Sequence, residues 1–306
     1  MRYGFIGLGN LGIHLAASLL REGFDLTVSD LDESRAAPLV AAGAVWAASP
    51  MATARSSDAV ITCLPSPAAA TAVVAGPDGV FEGLAPGCTW IEMSTTDDVE
   101  LKRLAELAAT RGIATLEAPV TGGVHRAESG RITVLVGGER SVFETHGPAL
   151  AAMGGRIIYM GPLGSAALIK VITNMLAFIH LAATGEALML ARRGGLDLGQ
   201  AYDAIKASSG NSFVHETEGR LILNGSYDIG FTMDLAAKDL GFAMKYGREF
   251  GVPLDLAELT ERTFLRARAE YGGGAPSTQV VKLLEDALGT DLRAPGFPAR
   301  LGPEDL

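Results

Sequence analysis

Gly4-Phe5-Ile6-Gly7-Leu8-Gly9-Asn10-Leu11-Gly12 runs from an apolar segment of strand character into three glycines spaced G-x-G-x-x-G. The apolar run Tyr3 to Leu8 reads as a buried strand, and Asn10 to Arg21, with Leu11, Leu15 and Leu19 on one face, reads as the helix that follows. In that setting each glycine has its own task. Gly7 permits the tight turn, Gly9 lets a pyrophosphate approach the backbone, and Gly12 lets helix and strand pack closely. The helix start adds N–H groups without helical partners and a positive potential. A glycine-rich turn in any α/β protein has the same spelling, so it is the flanking strand and helix that select a dinucleotide site.

Asp30 closes the next candidate strand, Leu26 to Asp30. A carboxylate there accepts hydrogen bonds from an adenosine ribose and repels the extra phosphate of NADP, so NAD is favoured, with NADP as the alternative. Asp32 and Glu33 add negative charge beside it, and Arg35, further along, only softens the preference. Read blandly, Asp30 is a helix N-cap or a loop residue.

Further strands are expected at Ala59 to Leu64, Thr89 to Met93, Ala114 to Ala118, Ile132 to Val136 and Arg156 to Met160, with helical patterns between them such as Val99 to Arg111. Short apolar runs alternating with amphipathic helices predict βαβ units and a doubly wound, mostly parallel sheet. After Gly161 the pattern turns helical, over Ser165 to Arg193, Asp234 to Phe250, Leu254 to Glu270 and Thr278 to Leu288. The expected organisation is a dinucleotide-binding α/β domain over 1–162, then an all-helical domain over 163–290 entered by one long helix at about 165–193. A Pro-rich tail over 291–306, with Pro295, Pro298 and Pro303, is either an arm over a neighbour or loose.

Composition narrows the partners. A net charge of −10 argues against nucleic acid, while a local basic pocket for one anion remains open. Ala166 to Ala191 is apolar but interrupted by Lys170, Asn174, His180 and Glu186, which are costly against lipid, so it reads as a buried interdomain helix and no membrane partner is expected. Cys63 and Cys88, both in apolar surroundings, read as reduced core fillers in a cytoplasmic protein. His14, His125, His146, His180 and His215 are scattered without ligand spacing, so no metal is expected.

Taken together, the glycine stretch, Leu64-Pro65, Ser94-Thr95, Ala118-Pro119-Val120-Thr121-Gly122-Gly123-Val124, Lys170 with Asn174, and Lys238-Asp239 resemble the β-hydroxyacid dehydrogenase family, of which 3-hydroxyisobutyrate dehydrogenase is the familiar member. The likeness covers nearly the whole chain, in family order. It implies an oxidoreductase with a Rossmann-like domain, an all-helical second domain, and an active site in the cleft between them. It further implies that Leu64 and Pro65 line the cofactor cleft, Thr95 binds near the nicotinamide end, Lys238 closes over the cofactor, and Lys170 is the catalytic lysine. A homodimer or homotetramer is the assembly the resemblance implies.

Chemistry supports that transfer. Lys170 and Asn174 are spaced i, i+4 and project from one helix face. Removing hydride from an alcohol leaves a proton, which an amine bonded to the reacting oxygen takes up. Asn174 would hold the lysine or the substrate oxygen. The plain alternative is a lysine whose stem packs and whose head reaches solvent. Thr121, Gly122 and Gly123 follow a strand, where glycine N–H groups and a hydroxyl clasp a carboxylate, which makes them the expected binding residues for a small anionic hydroxy acid or aldehyde. His125 and Arg126 replace smaller residues common in the family; they either help select an anionic substrate or lie in a surface loop. Ser208 to Asn211 reads as a polar turn, and Phe213, His215 and Phe231 as pocket, core or interface residues.

Two other functions fit the scaffold. Imine reduction would place an aspartate or tyrosine where this chain has Lys170. A dinucleotide-binding module without turnover would lack the lysine or the substrate glycines, both of which are present.

Overall fold

The computed structural model describes residues 1–302 and Asp305. Pro303 and Leu306, both assigned to the tail from sequence, lie outside the described residues. The chain divides into two compact units, Met1–Lys170 and Val171–Leu306.

In the first unit the strands are β1 (Arg2–Ile6), β2 (Asp25–Ser29), β3 (Val45–Trp46), β4 (Ala59–Thr62), β5 (Thr89–Glu92), β6 (Ala114–Glu117), β7 (Val120–Thr121), β8 (Ile132–Gly138) and β9 (Gly154–Gly161). They form one sheet in the order β3-β2-β1-β4-β5-β6-β8-β7, with β9 beside β8. The pairs from β3 to β6 are all parallel, and β8 runs antiparallel to β6 and β7. The mostly parallel, doubly wound sheet expected from sequence is therefore present. The reversal of strand order beside β1 is the switch point at which such sheets bind ligands, outside the carboxyl ends of the strands.

Helices α1 (Gly12–Arg21), α2 (Ala37–Ala41), α3 (Pro50–Arg55), α4 (Pro67–Ala75), α5 (Val80–Gly83), α6 (Asp98–Ala109), α7 (Val124–Glu128) and α8 (Arg140–Met153) connect the strands. Side chains alternate across the pleat. Phe5, Ile61 and Ile91 pack with Leu15, Leu19 and Leu150, whereas Ile6, Val60 and Trp90 pack with Phe81, Leu101 and Leu104. Covering both faces is why these strands read as unbroken apolar runs. Each such fully buried side chain contributes roughly 1.5–3 kcal/mol.

Helix α9 (Ser165–Arg193) has the expected limits, and the division between the units falls inside it, after Lys170. The helix is long and apolar enough to cross a membrane by length and composition alone, and a third of its most apolar stretch is buried in the single chain. The expectation of a buried helix thus needs correction: Leu181 and Leu188 are covered, whereas Ile172, Leu176 and Leu190 are exposed in the single chain.

The second unit continues with α10 (Leu198–Lys206), α11 (Phe213–Asn224), α12 (Met233–Phe250), α13 (Asp255–Tyr271) and α14 (Lys282–Leu288). Thr278 opens no α-helix, because Ser277–Val281 is a 3-10 segment that leads into α14. Phe178, Leu188, Leu240, Phe264, Val281 and Leu292 share its core. Residues 292–297 of the tail pack back on this unit. Leu292 is 0% exposed, the Ala294 N–H donates to the Leu223 carbonyl, and the Arg293 guanidinium donates to Glu285, Tyr227 and the Ile222 carbonyl. Phe297 packs edge-on against Tyr202, and Arg220 pairs with Asp305.

Candidate active site

The glycine turn leaves β1 with three distinct constraints. Gly7 has φ +99°, and a Cβ there would sit 2.3 Å from the Cys63 carbonyl oxygen. A Cβ on Gly12 would lie 2.0 Å from the Gly7 carbonyl oxygen, so α1 packs on the turn through a bare Cα. A Cβ on Gly9 would meet nothing nearer than Arg35 Nη1, at 4.0 Å. Open space above Gly9 at the start of α1, with Asn10 exposed and Leu11 half-buried beside it, suits an approaching pyrophosphate. Arg35, further along the chain, brings its guanidinium toward the second glycine.

Asp30 follows β2 and is half-buried. Its carboxylate accepts the Leu8 N–H at 2.6 Å and the Asp32 N–H at 3.0 Å, which ties the β2 end to the glycine turn. Asp32 caps the 3-10 segment Glu33–Ala36 and lies 3.7 Å from Arg35.

The ends of β4 and β5 are joined by a relay. Glu92 is 1% exposed and accepts the Ser94 N–H at 2.7 Å; the Ser94 hydroxyl in turn accepts the Leu64 N–H at 2.7 Å. Leu64, exposed Pro65 and half-buried Thr95 are thereby held at the carboxyl edge of the sheet. Cys63 is a half-buried filler whose thiol is pushed up to about 12, chiefly by burial and further by Glu92.

Thr121 ends β7, and Gly122 and Gly123 follow with φ +123° and +91°, backbone that other residues rarely adopt. Two side chains fold back over this pair. A Cβ on Gly122 would lie 3.0 Å from Arg126 Cδ, and one on Gly123 would lie 2.9 Å from His125 Cε1. His125 is 5% exposed and lies in α7, so it belongs to a packed short helix and not to a surface loop.

On α9, Lys170 is 8% and Asn174 9% exposed. Within the second unit the Asn174 amide donates to Asp239 Oδ2 at 2.6 Å, and Lys238 Nζ lies 3.1 Å from Asp239 Oδ1. Asp239 is 0% exposed, and it orients Asn174. The sequence placed it in the Lys-Asp pair but offered no signal that its partner lies 65 residues away. The polar turn at 208–211 is present; Phe213 is exposed, while His215 is a core residue whose Nε2 meets the Tyr202 carbonyl.

A glycine turn at the switch point, an acid at the end of β2 and a buried amine at the head of a long helix define an NAD(P)-dependent oxidoreductase. Residues 2–161 match the family described as the NAD binding domain of 6-phosphogluconate dehydrogenase. Residues 164–284 match the family described as NAD-binding of NADP-dependent 3-hydroxyisobutyrate dehydrogenase. The chain is 34% identical to the 2-(hydroxymethyl)glutarate dehydrogenase of Eubacterium barkeri, over 95% of this chain and 97% of that protein. It is 33% identical to mitochondrial 3-hydroxyisobutyrate dehydrogenase of Mus musculus, over 85% and 80% respectively. A crystal structure of 3-hydroxyisobutyrate dehydrogenase from Salmonella typhimurium superposes with a TM-score of 0.86 at 30% identity, covering 92% of this chain and 99% of that one.

The chain belongs to the β-hydroxyacid dehydrogenase family, and it is an NAD(P)-dependent hydroxyacid dehydrogenase. The imine reductase of Streptomyces aurantiacus, at 24% identity over 93% of this chain and 99% of its own, with a TM-score of 0.60, shares the fold.

Proposed function

We propose that this chain transfers a hydride between NAD and a small β-hydroxy acid, interconverting the acid and its semialdehyde, with Lys170 as the proton-transfer group. The observation that carries the reading is a lysine only 8% exposed, one turn before an asparagine whose amide is itself held by a buried aspartate. Imine reductases share the scaffold, but the lysine favours alcohol chemistry.

Gly7, Gly9, Asn10, Leu11, Gly12, Asp30, Leu64, Pro65, Thr95 and Lys238 hold the dinucleotide, which supplies the hydride acceptor. The open space over Gly9 supports that fit, and the Asp30 carboxylate favours NAD over NADP. Thr121, Gly122 and Gly123 clasp the substrate carboxylate. In oxidation the carbinol carbon gives up its hydride and the hydroxyl proton passes to the neutral amine of Lys170, leaving an ammonium; in reduction that ammonium returns the proton. Asn174 orients the reacting oxygen, and Asp239 orients Asn174.

Residues 1–162 serve the dinucleotide and 163–290 the substrate and assembly, as a homodimer or homotetramer in the cytoplasm. Exposed Ile172, Leu176 and Leu190 on α9 support self-association, and two unbridged cysteines support a reducing compartment. Light scattering on the purified protein tests the assembly, and a monomer at micromolar concentration rejects it.

The test of activity is a set of initial rates with NAD and NADP. The panel comprises 3-hydroxyisobutyrate, 3-hydroxypropionate, serine, 4-hydroxybutyrate, 2-(hydroxymethyl)glutarate, sulfonate analogues and the matching aldehydes. Undiminished turnover by Lys170→Ala rejects the proton-transfer role, and faster saturation by NADP rejects the reading of Asp30.

A further inference from the structure

The first turn of a helix presents up to four N–H groups without helical acceptors, usually met by a capping side chain next to them in sequence. Helix α9 begins after Gly164, which has no side chain to offer. Its acceptor comes instead from the sheet. The Glu117 carboxylate, at the end of β6, accepts the N–H groups of Gly164 at 2.6 Å, Ala166 at 2.9 Å and Ala167 at 2.8 Å. Glu117 is 1% exposed. A Cβ added to Gly137 on β8 would lie 2.1 Å from Glu117 Oε1, so the carboxylate is seated against a bare Cα and has no second position on that side.

Three bonds from two oxygens fix where α9 starts and how it is rotated about its axis. Lys170 follows Ala167 by three residues, about 4.5 Å along the helix at 1.5 Å per residue. Four residues beyond Glu117, the same segment reaches Thr121 and the glycines that clasp the carboxylate. One side chain therefore joins the strand that leads to the carboxylate clasp with the helix that carries the amine.

We propose that Glu117 is a positioning residue for the dehydrogenase reaction, setting the distance between the substrate clasp at 121–123 and the Lys170 amine by anchoring the N-terminus of α9. This rests on the reading of Lys170 as the proton-transfer group. A misplacement of 1 Å costs on the order of 100-fold in a reaction governed by near-attack geometry, so loss of the anchor acts on turnover more than on binding.

The experiment uses Glu117→Gln, Glu117→Asp and Gly137→Ala, each alone and combined with Lys170→Ala, with KM, kcat, NAD affinity and the thermal midpoint recorded. Gly137→Ala leaves the carboxylate chemically intact and displaces it. The expected result is a fall in kcat of roughly 10- to 100-fold for Glu117→Gln and Gly137→Ala. KM and NAD affinity should stay within about threefold, with Glu117→Asp intermediate. On the Lys170→Ala background, with turnover restored by added methylamine, the Glu117 substitutions should have no further effect, because the amine is no longer delivered by α9.

Equal losses on both backgrounds, or losses confined to KM or NAD affinity, overturn the proposal. If Lys170→Ala alone leaves kcat unchanged, it is the proton-transfer reading that fails. Should Glu117→Gln not fold, Gly137→Ala and Glu117→Asp decide by the same criteria.

Discussion

The sheet unit and the helical unit carry their proposed site residues in opposite ways. In the sheet unit the proposed binding positions are strand ends and glycines, where an added atom is the threat: Gly7 and Gly12 have no room for a Cβ. In the helical unit the proposed residues are side chains held by one another, Asn174, Asp239 and Lys238, and the threat is a removed atom. Lys170 stands at the join, on a helix anchored by the sheet through Glu117. Glycine spacing marks the backbone-built turn in the sequence, whereas a side-chain pair such as Asn174 with Asp239 leaves no such mark, because its members are distant along the chain.

The comparison breaks most sharply at Lys170. Replacing it by alanine should lower kcat by about 10²- to 10⁴-fold, the usual share of a proton-transfer group, while NAD affinity by fluorescence titration stays unchanged. Equal loss of NAD affinity would mean that the lysine only packs.

Next in size is Gly7→Ala. A backbone at φ +99° with a carbonyl oxygen 2.3 Å from the new methyl should cost roughly 2–5 kcal/mol in urea unfolding. Gly9→Ala should leave the unfolding midpoint in place and weaken only NAD binding. If the two variants behave alike, the turn is not built as described.

The third effect separates the units by pH. Burial holds the His146 imidazole at about 4, whereas the unfolded chain takes up that proton near 6.5. The sheet unit therefore keeps this contribution above pH 6.5 and loses up to roughly 3 kcal/mol as the pH falls toward 4. In the helical unit, burial pushes half-buried Glu218 up to about 8, so its contribution is full below 4.5 and is lost as the pH rises through about 8. Both tryptophans, Trp46 and Trp90, belong to the sheet unit, so their fluorescence follows its unfolding separately. A tryptophan transition indifferent to pH between 6.5 and 4 would contradict the assignment.

The smallest effect is at Asp239. Alanine there leaves the Asn174 amide without its buried acceptor, at a cost of about 1–3 kcal/mol in stability. A matching drop in kcat should accompany it. Loss of stability with full turnover would confine Asp239 to a structural role.

The same contrast explains what was legible in the sequence. The turn at 7–12, the long helix at Ser165–Arg193 and the seven longer strands declared themselves through period and glycine spacing. Two-residue strands such as Val45–Trp46 and Val120–Thr121 are too short to show a period. Helices α10 and α11 escaped notice, since α10 is only nine residues long and in α11 Gly219 and interspersed polar residues blur the apolar face. Glu117 looked like an ordinary strand residue, because its acceptor role depends on amides 47 to 50 positions later. Arg35 and Asp239 went under-read for the same reason, as folding decides what they reach.

The strap formed by residues 292–297 also bears on how the protein is made. Everything the sheet unit needs has been synthesised by Lys170, but the helical unit still lacks the leucine and arginine that close its core at positions 292 and 293. At about 5–20 residues per second, that leaves an interval on the order of 6–24 s. During it, one finished half sits on the ribosome beside a nascent half whose apolar seam is still open to chaperones and proteases.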